Sequence, residues 1–266
     1  MQIGIAGCGR MGAPMLENLR NAGFDAIGYD VRPMADFADL NAPITQDKSA
    51  FAIHTEVLLT VVRDQAQTED VLFRAQGFSY APNLEAIIIC STLEADYIDS
   101  LRARIPAEIA LIDAPMSGAS VAAQERRLSF MIGSTEGAIT KYAPVFQTLG
   151  KDFHYLGAYG AGMKAKLFNN LLAASSISMT RLVHDWAQDA GMDWEALRDV
   201  IASSSGQNWF ASNFDRIEFA KDGFGNRNSM GILKKDIEAA LDALPDDART
   251  DLPKSLIKVI ENLKEI

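Results

Sequence analysis

Two patterns of apolar and polar positions divide the chain. In the first half, short, largely apolar runs fall at 2–6, 26–30, 57–62, 86–90, 109–113, 128–133 and 153–155. Each is too short for a helix and reads as a buried strand. Between them lie polar or helix-period stretches, such as 13–22, stopped by Gly23, and a run after Arg63-Asp64 that ends near Phe73. Buried strands alternating with helical stretches predict a mostly parallel sheet covered on both faces. In the second half the period is helical throughout. Residues 163–190 carry no proline and no interior glycine, enough for a helix of about 40 Å. The run 167–179 is so apolar that both of its sides should be covered, by a domain contact or a subunit contact. Further helices are predicted at 193–203, 209–222, 230–244 and 252–263. The expected fold is therefore α/β, a doubly wound parallel sheet followed by an all-helical C-terminal domain, with the break near Gly157–Gly162 and domains at 1–160 and 161–266.

The turn after the first strand reads Gly7-Cys8-Gly9-Arg10-Met11-Gly12, and Asp30 ends the second strand 18 positions after Gly12. Strand, glycine turn, helix, strand and terminal acid stand in the order of a Rossmann-type dinucleotide site. Glycines let the backbone approach a pyrophosphate, and the helix start supplies N–H donors. Gly7, Gly9, Arg10, Met11, Gly12 and Asp30 are thus cofactor candidates. Asp30 would accept from ribose hydroxyls and repel a 2′-phosphate, which favours NAD. Arg32 offers the alternative, a partner for that phosphate and hence NADP, although on its own it reads as a solvated surface arginine. Ligands of such sheets bind beyond the strand C-termini, so the loops starting at Arg63, Ser91 and Ser117 should lie on the side of the glycine turn. Ser117-Gly118 offers a hydroxyl and backbone amides suited to a carboxylate, or a plain turn.

Lys166, Asn169 and Asn170 stand at i, i+3 and i+4, on one face of the long helix just past Gly157, Gly160 and Gly162. Polar groups on an apolar helix need partners. Two readings stand: a solvated polar stripe, or a site with an ammonium for proton transfer and two amides to orient a polar ligand. Lys234-Lys235-Asp236, inside a later helix, reads by itself as an exposed charge cluster. The scattered His54, His154 and His184 support neither a metal triad nor a serine–histidine pair, so no metal is expected.

Composition narrows the partners. The chain has 266 residues, 48% of them hydrophobic, and a formal net charge of −10. It has no long basic run, which disfavours nucleic acid or an anionic membrane as the partner. Two cysteines far apart, with no leader and no membrane-length apolar run, predict a reducing, cytoplasmic setting.

With these residues in hand, the chain resembles the β-hydroxyacid dehydrogenases, the family of 3-hydroxyisobutyrate dehydrogenase, over nearly its whole length. The glycine turn with Ala13-Pro14-Met15 and Asn18-Leu19, the segment Asp113-Ala114-Pro115-Met116-Ser117-Gly118, the segment Gly160 to Asn170, and the pair Lys235-Asp236 are similar to the family's motifs, in order. The resemblance implies that Lys166 donates and accepts the proton at the substrate hydroxyl. It implies that Ser117, Gly118 and Asn170 hold a small carboxylate-bearing substrate. Lys235 would close over substrate and nicotinamide, with Asp236 on the cofactor side, and Ser91 and Thr92 would lie beside the nicotinamide ribose. A homodimer or homotetramer built around the long helix is implied as well. Ala119, Ala122, Arg126 and Ser134 stand where the family usually has glycine, and the proline usual after Ser91-Thr92 is absent.

The leading expectation is an NAD-linked oxidoreductase of a short 3-hydroxy acid. An NADPH-dependent reductase of a small semialdehyde acid, of the tartronate or succinic type, is the close alternative. A non-catalytic cofactor-binding relative is the alternative from another class. A 6-phosphogluconate dehydrogenase would have histidine at Asn169, and an imine reductase usually lacks the lysine.

Overall fold

The computed structural model describes residues 1–225 and 229–266. Its contacts divide it into two compact units, Met1–Lys166 and Leu167–Ile266.

In the first unit, strands β1 (Gln2–Ala6), β2 (Asp25–Tyr29), β3 (Ile44–Thr45), β4 (Val57–Thr60), β5 (Ala86–Ile89), β6 (Ala110–Asp113), β7 (Met116–Ser117), β8 (Leu128–Gly133) and β9 (Gly150–Gly157) form one sheet. Its order is β3-β2-β1-β4-β5-β6-β8-β7, with β9 paired to β8. Strands β1 to β6 are parallel to one another, whereas β8 runs antiparallel to β6 and β7. The period of two along the strands explains the two-sided burial. Ile3, Ile5, Val57, Leu59, Ile88 and Ile112 pack on one face with Met15, Leu16 and Leu19 of α1 (Gly12–Asn21) and Tyr142, Val145 and Phe146 of α6 (Glu136–Leu149). Leu58, Ile87, Ile89 and Leu111 pack on the other with Phe51 of α2 (Lys48–His54), Leu72 of α3 (Gln65–Leu72) and Ile98 and Leu101 of α4 (Ala95–Arg104). A small α5 (Ala119–Gln124) is tied to α1 by the buried Asn18 amide, which donates to the Ala123 carbonyl at 2.7 Å.

The anticipated strands are present, with two changes. The stretch expected at 153–155 extends to the full β9, and the two-residue β3 and β7 carry too little pattern to be anticipated. Because β1, β4 and β5 are parallel, the glycine turn, the Arg63 loop and the Ser91 loop leave the sheet at the same edge. The turn follows β1, where the order reverses between β1 and β4, the usual crevice of such sheets.

The long helix α7 (Ala161–Asp189) starts in the first unit and continues into the second. Its start is held by Asp113 at the end of β6. That fully buried carboxylate accepts from the Gly160 N–H at 2.7 Å and the Met163 N–H at 2.5 Å. A side chain on Gly133 or Gly162 would collide with its oxygens, so those glycines serve this cap.

The second unit continues α7 with α8 (Trp194–Ser203), α9 (Trp209–Ser212), α10 (Ser229–Asp242) and α11 (Asp251–Glu261). Its core joins Ala174 and Ile177 to Phe210, Met230, Ile237 and Ile260. The helix expected over 209–222 is not continuous: α9 stops after one turn, and a 3₁₀ turn follows at Glu218–Lys221. The Asn213 amide bonds back to the Trp209 carbonyl at 2.9 Å, a local competitor that ends the helix. Arg181, buried in α7, is met by the backbone carbonyls of Ala220, Asp222 and Lys264, so one guanidinium secures both that turn and the C-terminal residues. Within the single chain, Phe168, Leu172 and Met179 of α7 stay exposed, Leu172 by 72%.

Candidate active site

The glycine turn separates into glycines the chain itself needs and one it does not. Gly7 has φ +96°, and a Cβ there would lie 2.6 Å from the Val61 carbonyl oxygen. A Cβ on Gly12 would strike the Gly7 carbonyl. Gly9 has neither constraint: a Cβ there would meet no protein atom within 4 Å. Its bareness leaves open surface beside the start of α1, a helix without a side-chain cap at its N-terminus. Open backbone at an uncapped helix start is a cradle that fits a pyrophosphate, so the residues present suit a dinucleotide. Arg10 is exposed there, and Met11 packs against the core.

Asp30 follows β2 and is 8% exposed. Its carboxylate accepts from the Cys8 N–H at 2.8 Å, the Arg32 N–H at 3.0 Å, and Arg32 Nε and Nη2, each at 3.1 Å. Arg32 Nη2 also donates to the Cys8 carbonyl at 2.9 Å. Burial pushes the Asp30 carboxyl up, but the Arg32 guanidinium and the two backbone N–H groups outweigh it and hold it below the usual aspartate range. Arg32 is an exposed surface arginine, as expected, but its guanidinium is paired with Asp30.

At the same sheet edge, Ser91 is buried and its hydroxyl accepts from the Val62 N–H at 3.2 Å, tying the loop after β5 to the loop after β4. Thr92 beside it is half-buried. Arg63 has an exposed side chain, and its backbone N–H donates to Gln67.

Within the first unit, Lys166 and Ser117 meet although 49 residues separate them. Lys166, 8% exposed, donates from Nζ to Ser117 Oγ at 2.8 Å. Ser117 is placed by the β7–β8 pairing opposite Ser129. Gly118 follows with φ +132°, where a Cβ would lie 2.5 Å from that of Ala122. Lys164, two residues before Lys166, points elsewhere and pairs with Asp99 at 3.4 Å on the surface.

Within the second unit, Asn170 donates from Nδ2 to Asp236 Oδ2 at 2.7 Å. Asp236 is buried on α10, so the expected exposed cluster at 234–236 holds only in part. Lys234 is the surface member, bonded to Glu261 at 2.6 Å, and Lys235 is exposed. Asn169 is exposed and only 3.5 Å from the Asn170 oxygen. Among the described residues no group of three or more histidine, cysteine or acidic side chains could hold a metal ion.

The roles of Asp113 and Arg32 escaped the reading of the sequence. A carboxylate ending an apolar strand and an arginine two residues beyond a strand-end acid were the available signals; neither names its partner.

The description "NAD binding domain of 6-phosphogluconate dehydrogenase" matches residues 2–157. The description "NAD-binding of NADP-dependent 3-hydroxyisobutyrate dehydrogenase" matches residues 160–262. L-threonate dehydrogenase of Cupriavidus necator is 30% identical over 90% of this chain and 82% of that one. The mitochondrial 3-hydroxyisobutyrate dehydrogenase of Drosophila melanogaster is 31% identical over 81% of this chain and 67% of that one. Among solved structures, 3-hydroxyisobutyrate dehydrogenase of Mycobacterium tuberculosis with L-serine superposes with a TM-score of 0.81 at 25% identity, over 98% of this chain and 95% of that one.

Proposed function

Since this chain belongs to the β-hydroxyacid dehydrogenase family, of which 3-hydroxyisobutyrate dehydrogenase is a member, we propose that its substrate is a short 3-hydroxy acid and that Lys166 handles the proton of the reacting hydroxyl. The chain is an NAD(P)-dependent oxidoreductase; the nicotinamide, when bound, exchanges the hydride. What the chain must add is a proton acceptor, a carboxylate anchor and a cofactor cradle.

The observation that carries the reading is the Lys166–Ser117 hydrogen bond. It brings an amine of α7 to the hydroxyl that ends β7. Ser117, accepting from Lys166, keeps its own proton to donate to a substrate carboxylate, with the Gly118 N–H beside it as a second donor. As an amine Lys166 takes the hydroxyl proton during oxidation; as an ammonium it returns one during reduction. Asn170, one turn further along α7, contributes its amide oxygen and second N–H, and Asp236 sets which way that amide points. That contact supports Asp236 as a positioning residue for Asn170, beside the cofactor-side role proposed for it. Lys235 remains the substrate and cofactor contact proposed on that helix. Gly7, Gly9, Gly12 and the start of α1 would hold the pyrophosphate, Asp30 the adenine ribose, and the Arg63, Ser91 and Thr92 loops the nicotinamide side.

The NADPH-linked semialdehyde reductase draws its support from the Arg32 guanidinium at Asp30. The same residues would serve it in the reverse direction. A homodimer or homotetramer around α7, a cytoplasmic setting and no nucleic-acid partner complete the proposal. Among the described residues no helix is long and apolar enough to cross a membrane.

The test is a panel of short 3-hydroxy acids with NAD and NADP, followed by the absorbance of the reduced nicotinamide. Turnover of at least one such acid is expected, and none with any of them would overturn the substrate class. Lys166→Ala should lower kcat by roughly 10²–10⁴-fold with cofactor affinity retained, the range for general acid–base catalysis. Lys164→Ala, which removes only a surface pair, should cost far less. Equal losses in the two variants would remove Lys166 from this role.

A further inference from the structure

The Lys166–Ser117 pair is reached from both sides by one carboxylate. Asp113 ends β6, on the short segment that leads to Ser117. Its oxygens accept from the Gly160 N–H at 2.7 Å and the Met163 N–H at 2.5 Å, on the first turn of the helix that carries Lys166. Helix starts are usually capped by the residue just before them. Here the acceptor lies 47 residues upstream of Gly160. Neither path from it is slack. On the strand side, the Ala114 N–H donates to the Ile89 carbonyl at 2.8 Å and the Met131 N–H to the Pro115 carbonyl at 3.0 Å. Met116 and Ser117 are then paired with Phe130 and Ser129. On the helix side, less than one turn separates Met163 from Lys166. Met163 also ties in a third segment: its Sδ accepts from the Leu93 N–H at 3.3 Å, just after Ser91 and Thr92. Asp113 is fully buried between Gly133 and Gly162, where a Cβ on either would collide with its oxygens. The carboxylate therefore has little room to shift.

We propose that Asp113 is a positioning residue for proton transfer, which sets the separation of Lys166 Nζ from Ser117 Oγ and so brings amine and hydroxyl to the same substrate. This rests on the reading of Lys166 as the group that handles the hydroxyl proton. Asp113 acts through the backbone it binds, not on the substrate. A carboxylate suits the task, because two N–H donors from one helix turn need two acceptor oxygens. An amide offers one oxygen and one NH₂ group, so one of the two N–H groups would lose its acceptor and face a donor. The helix start would then relax away from β6, and the Lys166–Ser117 hydrogen bond would lengthen. A displacement of about 1 Å at such a group costs on the order of 10²-fold in rate. A cap that only stabilised α7 would lower stability and leave the geometry of the pair as it is.

The experiment is a double-variant cycle on the full chain: wild type, Asp113→Asn, Ser117→Ala and the two combined. Two quantities are read. One is labelling of Lys166 by an N-hydroxysuccinimide ester, quantified for each lysine by mass spectrometry, with the exposed Lys164 of the same helix start as internal control. The other is turnover, with NAD, of the short 3-hydroxy acid that the wild type oxidises fastest. Asp113→Asn should raise the labelling of Lys166 severalfold and lower kcat by roughly 10–100-fold. Labelling of Lys164 and affinity for NADH, read by fluorescence titration, should stay unchanged. In the Ser117→Ala background no hydroxyl is left to hold, so the same substitution should add far less to either effect. Equal effects of Asp113→Asn in the two backgrounds would mark a purely structural residue and overturn the proposal, as would unchanged labelling of Lys166. So would a variant that no longer binds NADH, because Asp113 would then hold the whole unit rather than this pair. Near-normal turnover of Lys166→Ala, with the labelling cycle obeyed, is a different failure. It would overturn the proton-transfer reading while leaving Asp113 as the residue that sets the pair.

Discussion

Ala119 and Arg126 hold left-handed backbone, with φ +54° and +56°. They are two of the positions where the family resemblance leads one to expect glycine. A Cβ in the left-handed region costs about 1–2 kcal/mol, and glycine would return some of that through its freer unfolded chain, about 0.5–1 kcal/mol. Ala119→Gly and Arg126→Gly should therefore each stabilise the protein by about 0.5–1 kcal/mol, read as a higher urea midpoint with unchanged slope. Destabilisation by either would mean that the side chain makes a contact worth more than the strain.

The helix α7 depends on a group outside itself. Asp113 caps it from β6, and burial pushes that carboxyl up to about 6 from an ordinary 3.8. A folded-state pKa above the unfolded one means that the fold binds the proton more tightly. The associated stability is fully present below about pH 4 and is lost as pH rises through about 6. At 1.36 kcal/mol per unit the loss is on the order of 3 kcal/mol. Other carboxylates, Asp30 and Glu69 among them, are held low by their arginine partners and act in the opposite sense. The isolated effect is thus the difference between the wild type and Asp113→Asn, which keeps an acceptor and does not titrate. Urea unfolding across pH 4–7 should show the wild type losing stability relative to the variant by about that amount. A difference that stays flat above pH 5 would mean that Asp113 ionises as an ordinary aspartate.

At the scale of the whole molecule, the apolar face of α7 bears on assembly. Phe168, Leu172, Met179 and Trp186 are exposed on it, the last three spaced by seven residues and therefore on one stripe. A second copy of the chain would cover it. Leu172→Glu should shift the protein toward monomers in light scattering while leaving its circular dichroism unchanged, and a wild type already monomeric at micromolar concentration would count against the interface. The period and order of the elements were legible in the residues alone, because a buried strand and an apolar helix each impose a local repeat that neighbours in the chain must satisfy. The glycine turn and its terminal acid were legible for the same reason, being a short-range backbone requirement. So was the spacing that puts Lys166 and Asn170 on one helix face. Partners were not. That Ser117 faces Lys166, that Asp236 holds Asn170, that Arg32 occupies Asp30, and that Asp113 rather than a ligand accounts for Gly133 and Gly162 are decided by tertiary contacts. Most of these join residues tens of positions apart, and Arg32 reaches Asp30 by a choice of rotamer. A hydrogen bond between distant side chains leaves no periodic trace in a sequence; only the folded sheet and helices bring its donor and acceptor within reach.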